Sequence, residues 1–297
     1  MISNVTYHTP VLTKETIDAL RIKKGKKYID ATIGAGGHGI EIVKRGGILL
    51  GIDVDPDAII AAKETFHMLP RVFREGKNWI ITQGNFGDIE KIAHMRGFAT
   101  VWGILFDLGV SSFQLDTPNR GFSYRFDAPI DLRFNQKEGQ PAYKIVQTYS
   151  EDELYEIFTK FGEEERARPI AHALISARLL KKIISTRDIV EIVARVVKDQ
   201  RRQYGALSRI FQALRIEVNS ERDNLTKGLF GAKSLLPREG RLAVISFHSG
   251  EDRIVKQFMN QSAFQIITKK PIVASQNETR HNMRARSAKL RVTEKLS

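Results

Sequence analysis

The 297-residue chain contains no cysteine, which removes disulfides, thiolate zinc sites and any cysteine nucleophile together. It has no apolar run near the roughly 18 residues that a membrane-spanning helix needs. Its first residues, MISNVTYHTPVL, lack the charged-then-apolar pattern of a secretory leader, so a cytoplasmic location is expected. Acid is scarce: 34 Asp and Glu face 47 Lys and Arg, a formal charge of +13. Such an excess can serve solubility alone, but it points first to a polyanionic partner, with nucleic acid ahead of an anionic membrane. Internal repeats and low-complexity segments are also missing.

What the chain does have, from Lys27 to Gly109, is alternation. KYIDATI, GGILLGIDV, WIITQGN and VWGILFDLG read as four strands separated by helical patterns. The fourth is almost wholly apolar, as a strand covered on both faces should be. This order predicts a parallel sheet flanked by helices. Pro56 falls just inside the helix after the second strand, where its missing N–H costs nothing. Residues 115–140 then read as loop, with Pro118, Gly121, Pro129 and Gly139. From Ala142 to about Gln203 the pattern is helical and charged. Ser150 and Thr186 are the expected N-caps, and only Ser150, with Glu153 three residues on, resembles a capping box. A long helix from about Ser208 precedes three further strand-like runs, GRLAVISFHS, FQIITKKP and RSAKLRVTEK. The expected organisation is a discontinuous α/β domain, 1–114 and 208–297, interrupted by a loop plus helical insert, 115–207, that recognises RNA.

Within the first βα turn, IDATIGAGGHG sets Gly34, Gly36 and Gly39 in the G-x-G-x-x-G spacing of nucleotide-binding turns. Alone, that spacing also fits a simple chain reversal. Asp53 ends the second strand, 19 residues after Gly34, where it can accept from both ribose hydroxyls of an adenosine. NAD and S-adenosylmethionine enzymes share this arrangement, and three residues separate them. Asp30, four residues before Gly34, suits a cationic methionyl ammonium and would repel a pyrophosphate. Phe86, past the third strand, can cover an adenine face or fill core. Asp107 ends the fourth strand, where transferred-group chemistry sits. Methyl transfer fits best. The run DVDPD (53–57) imitates a calcium loop, but Ala58 stands where glycine is required. Asp55 and Asp57 read instead as acids at a helix N-terminus.

Five separated blocks, DLGVSSFQLD, RGFSYRFDAPIDLRF, FQALRIEVNSE, ISFHSGEDRIVKQFM and RARSAKLRV, resemble the RsmH (MraW) family over nearly the whole chain. Those are bacterial methyltransferases of cytosine N4 in ribosomal small-subunit RNA. The resemblance implies an α/β, class I S-adenosylmethionine-dependent methyltransferase (Rossmann-like) sheet with an inserted helical domain. It implies S-adenosylmethionine as donor and a decoding-region cytidine of 16S rRNA, free or in the small ribosomal subunit, as target. Beside Gly34 of the turn, it puts cofactor contacts on Gly36, Gly37, His38, Asp53, Phe86, Asp107 and Gln114. The chain departs from the family pattern at Tyr204–Arg209 and within His248-Ser-Gly-Glu-Asp-Arg253.

Methyl transfer from a sulfonium is an in-line displacement, so alignment at roughly 3 Å supplies most of the gain. The lone pair of a cytosine amino group is conjugated with its ring and must be partly freed. A carboxylate accepting from that amine favours the change, which makes Asp107 the candidate catalytic residue; holding the cofactor is its alternative role. Without cysteine, the usual route to C5 methylation is closed. The base must be splayed out of its stack, and candidate RNA contacts are Arg120, Arg125, Arg133, Arg201, Arg202, Arg284 and Arg286. Phe122, Tyr124, Asp127 and Asp131 are interleaved with the first three, and their Asp and Arg pairs could equally lock a long loop. His248–Arg253 reads as site wall or as a cap through Ser249 and Asp252. A non-catalytic RNA- or ribosome-binding adaptor of the same fold is the alternative function, with an NAD oxidoreductase third. Neither a metal nor a membrane partner is expected.

Overall fold

The apolar runs of the first hundred residues become parallel strands. The computed structural model describes residues 10–296. Helix α1 (Thr13–Leu20), which the sequence pattern did not announce, buries Ile17 and Leu20. There follow β1 (Lys27–Asp30), α2 (Gly37–Lys44), β2 (Ile48–Asp53), α3 (Pro56–His67), β3 (Trp79–Gln83), α4 (Ile89–Met95) and β4 (Gly103–Asp107). At α3 the expected start holds: Pro56 is in its first turn and Asp55 accepts from the Asp57 N–H at 3.0 Å.

After Gly109 the chain enters a second compact unit, Val110–Glu221. It contains α5 (Ser112–Asp116), α6 (Ala142–Thr148), α7 (Glu151–Lys160), α8 (Ala167–Leu180), α9 (Thr186–Val196) and α10 (Gln200–Val218). Ser150 closes the expected capping box with Glu153. Another box closes at α9, with Ser185 and Asp188 as its partners. Thr186, expected there as the cap, is wholly buried, and its hydroxyl joins Phe126 and Ala128. Asp199 caps α10 by accepting from the Arg202 N–H at 2.9 Å, so that helix begins eight residues before Ser208. Its later turns bury Ile210, Phe211 and Leu214 in the core made by Phe158, Ile170, Leu174, Ile189 and Val193. For that reason the unit ends at Glu221 and not at 207, and residues 208–221, expected with the sheet, belong to the helices.

The α/β unit resumes at Arg222 along α11 (Glu221–Leu235), followed by β5 (Arg241–Ser246), α12 (Ser249–Met259), β6 (Phe264–Ile266), β7 (Ile272–Val273), α13 (Gln276–His281) and β8 (Lys289–Lys295). The strand order is β3-β2-β1-β4-β5-β8-β6, with β7 also on β8. Strands β1 to β5 pair in parallel, and β8 runs antiparallel to β5. Alternate residues serve opposite faces of the sheet. Ile29, Leu50 and Phe106 join Leu229 and Val255 of α11 and α12. Tyr28, Leu49 and Leu105 join Ile17, Ile42 and Phe66 of α1, α2 and α3. His248, one residue ahead of the expected Ser249, caps α12 by accepting from the Glu251 N–H at 3.3 Å. Successive strands leave β1 on one side and β4 on the other, so the carboxyl ends of these two strands flank the switch-point crevice where such sheets bind ligands.

Candidate active site

Three strands end in acids at that crevice: Asp30 on β1, Asp53 on β2 and Asp107 on β4. Backbone amides stitch them together. Asp53 accepts from the Gly34 N–H at 2.9 Å through Oδ2 and from the Asp55 N–H at 3.0 Å through Oδ1. Asp30 accepts from the Thr32 N–H at 3.2 Å, while the Thr32 hydroxyl accepts from the Asp107 N–H at 2.6 Å. Thr32 is a site residue that sequence reading missed. Its one signal was its place between Asp30 and Gly34.

The turn itself needs two of its glycines. Gly36 has φ +94°, and a Cβ there would stand 2.7 Å from the Phe66 ring. At Gly37 a Cβ would meet Pro10 at 2.7 Å. Both glycines therefore let the turn at the start of α2 pack tightly against Phe66 and Pro10.

Burial pushes the Asp30 carboxyl up to about 8, and the charges of Asp107 and Asp53 add to the rise. Asp53 is pushed up to about 6, first by burial, with Asp55 adding and the amides of Asp55 and Gly34 opposing. A crevice of mutually repelling acids favours a ligand with positive centres and disfavours a pyrophosphate. S-adenosylmethionine, with a sulfonium and an ammonium, meets that requirement; NAD does not. Among the described residues no group of His, Asp and Glu is arranged to hold a metal ion.

The remaining expected contacts are distributed unevenly. The His38 ring is buried, its Nε2 donating to the Val11 carbonyl at 3.0 Å and its Nδ1 lying 3.6 Å from Asp107 Oδ2. The ring is thus fixed by Val11 and stands beside Asp107. Phe86 is half-buried and meets Phe106 edge-on, 5.6 Å between centroids. Gly228 of α11 leaves room for it, since a Cβ there would be 3.0 Å from the Phe86 ring. Gln114 belongs to the helical unit, where its side-chain carbonyl accepts from the Ser111 N–H at 2.9 Å in the capping box of α5.

The arginines also divide. Arg120 is 3 % exposed and donates to the carbonyls of Arg133 and Phe134. Arg133 forks Asp131 at 2.9 and 2.7 Å and donates to the Gly139 carbonyl. Both lock the 115–140 loop, as do the stacked rings of Phe122 and Phe134, and a buried guanidinium has nothing to offer a phosphate. Arg125, Arg201, Arg202 and Arg286 are exposed. Arg284 lies over the Phe247 ring, 5.8 Å from its centre.

The profile of the MraW methylase family matches residues 5–296. The chain belongs to that family. It is 42 % identical over 311 residues to the ribosomal RNA small subunit methyltransferase H of Carboxydothermus hydrogenoformans, covering 98 % of both chains. Against the protein of the same name from Fusobacterium nucleatum it is 41 % identical over 312 residues, covering 98 % of this chain and 97 % of that one. Among solved structures it is similar to NSun6 from Pyrococcus horikoshii with SFG, at a TM-score of 0.50 and 10 % identity, over 98 % of this chain and 53 % of that one. That likeness concerns the fold alone. As a member of the MraW methylase family the chain has the α/β sheet with helical insert that its blocks implied.

Proposed function

We propose that this protein transfers the methyl group of S-adenosylmethionine to the exocyclic N4 of a cytidine in the decoding region of 16S rRNA. The observation that carries the reading is the crevice of three acids, Asp30, Asp53 and Asp107, at adjoining strand ends. Family membership and the relatives' names support the rRNA substrate. S-adenosylmethionine supplies an electrophilic methyl on a positively charged sulfur. Asp30 faces its ammonium, and Asp53 accepts from the ribose hydroxyls with the lone pairs left over from Gly34 and Asp55. Gly36 and Gly37 hold the turn tight against Phe66 and Pro10 at the crevice, and Phe86 covers the adenine. Asp107, with His38 beside it, accepts a hydrogen bond from the cytosine amine. That bond draws the nitrogen toward a tetrahedral geometry; as the N–C bond forms the methyl–sulfur bond breaks, S-adenosylhomocysteine is left, and the amine proton passes to Asp107. Arg125, Arg201, Arg202, Arg284 and Arg286 neutralise RNA phosphates and do not touch the reacting atoms.

The test is product identity. The purified protein, small-subunit RNA and S-adenosylmethionine should yield N4-methylcytidine by mass spectrometry of the digested RNA. A C5- or N3-methylated product, or calorimetric binding of NADH in place of S-adenosylmethionine, would overturn the reading.

A further inference from the structure

The edge of the sheet opposite the acids is strongly basic. Parallel strands place all their starts on one side, and the turns before β1, β2 and β3 lie next to one another there. The Gly25 N–H donates to Gly46 O at 2.8 Å, Ile48 N–H to Lys26 O at 2.8 Å, and Leu49 N–H to Asn78 O at 2.9 Å. The first turn reads RIKKGKK (21–27) and the third RVFREGKN (71–78). The third is held firm by bonds between Arg74 and Asn78 at 2.9 and 2.8 Å. Rigid backbone thus presents two clusters of long cationic side chains along one line.

These cations differ from those elsewhere in the unit. Arg45 and Lys44 have carboxylate partners in Asp18 and Glu41. Lys27 is spent on the fold, donating to the Gly97 carbonyl at 2.6 Å. Among the described residues no carboxylate lies within salt-bridge reach of Lys23, Lys24, Lys26, Arg74 or Lys77, all of them exposed. Lys23 and Lys26 instead converge on one ring, their ammonium groups 4.3 and 4.6 Å from the centre of Trp102. The ring's negative face offsets part of their repulsion. An anion set between them would offset the rest.

We infer that this edge is a second docking surface for the phosphate backbone of RNA, separate from the methyl-transfer crevice. The inference rests on the rRNA reading above and deepens it. Membrane attachment would call for an apolar wedge among the cations; Ile22 of the lysine turn is half-buried, and Val72 of the third turn, 70 % exposed, is a single short side chain. The two edges are one strand length apart, about 13–20 Å for four to six residues at about 3.3 Å each. An RNA that touches both must wrap the unit. The preferred substrate is therefore extended, folded small-subunit RNA and not an isolated stem-loop.

The variant K23Q/K24Q/K26Q tests this, since the three side chains are exposed and only Lys23 and Lys26 touch a neighbour, the Trp102 ring; an unchanged thermal melt verifies its fold. For folded small-subunit RNA, the slope of log affinity against log salt should fall by about 2–3, at roughly 0.7–0.9 per phosphate contact. Methylation of a short decoding-region stem-loop and the S-adenosylmethionine dissociation constant should both stay within twofold. The single variant K24Q should lower the slope by about 1. An unchanged slope in the triple variant overturns the surface. So does a loss of binding to phosphatidylserine vesicles with RNA binding intact, which would make the edge a membrane contact. If the unaltered protein neither binds nor methylates the RNA, the rRNA reading fails together with this one.

Discussion

Glu164 of the helical unit and Asp30 of the α/β unit are both buried acids, and their neighbours differ in sign. Glu164 receives Arg209 at 2.7 Å and the Arg166 N–H at 2.8 Å. Asp131 in the same unit is forked by Arg133. Asp30, by contrast, faces the acids Asp107 and Asp53, and burial with their charge drives its carboxyl toward neutrality. A charge that the chain neutralises internally belongs to the scaffold. An acid held against other acids is a preparation for a cation from outside. The contrast supports the proposed placement of the chemistry on the sheet, beside a helical unit with exposed arginines.

The largest expected effect tests the chemical side directly. Asp107→Asn keeps the size of the side chain but weakens the acceptor, so turnover should fall by about 10²–10⁴, the range of positioned acid–base groups. Cofactor affinity should change by less than about tenfold. Single-turnover methylation with calorimetry separates the two, and a loss confined to binding would reduce Asp107 to a donor-site residue. Next, Asp53→Ala should weaken S-adenosylmethionine binding by about 1.5–3 kcal/mol, the range for hydrogen bonds to a charged group. Because the Asp53 carboxyl lies at about 6, affinity in the unaltered protein should drop as pH falls below that value and the acid becomes neutral. The variant should lose that dependence.

A paired experiment addresses the comparison itself. Glu164→Gln should lower stability in urea by about 1–2 kcal/mol, limited because Arg209 is 40 % exposed and can turn to water. Asp30→Asn should do the reverse and raise the melting temperature of the ligand-free protein at pH 8. The sign follows from linkage. The folded carboxyl at about 8 is raised from 3.8, so between those values the folded state holds a proton that the unfolded chain has lost. Stability then declines as pH rises through this window, and asparagine removes the decline while weakening cofactor binding. Two destabilised variants would erase the distinction between the units. Smallest of all, Arg201→Ala with Arg202→Ala should reduce the salt slope of RNA binding by about 1–2 and leave S-adenosylmethionine affinity unchanged. If the slope holds, RNA meets the helical unit elsewhere.

The sheet and its acids were legible in the sequence because their signals are local. Apolar runs such as VWGILFDLG mark buried strands, and parallel pairing brings every strand's last residue to one edge, which groups Asp30, Asp53 and Asp107 without further information. What escaped depended on backbone angles or on distant partners. Ser185 outranks Thr186 as a cap because its backbone is extended, φ −113° and ψ 156°, and the neighbouring letters S and T do not reveal that. Arg120 looks like any loop arginine until Arg133 and Phe134 turn their carbonyls inward. The start of α10 was hidden because its first two turns are polar and exposed, so no apolar stripe announced them.

The insertion point of the helices also sets a schedule for assembly. Strand β4 must pair with β5, Gly103 beside Arg241, and every residue of the helical unit lies between them in the chain. During synthesis β1 to β4 can associate while the edge of β4 waits, on the order of ten seconds at typical elongation rates. An open parallel edge of this kind is a template for wrong partners. Helices built from near-neighbour contacts fold quickly, so the insert adds little more to that exposure than the time its own translation takes.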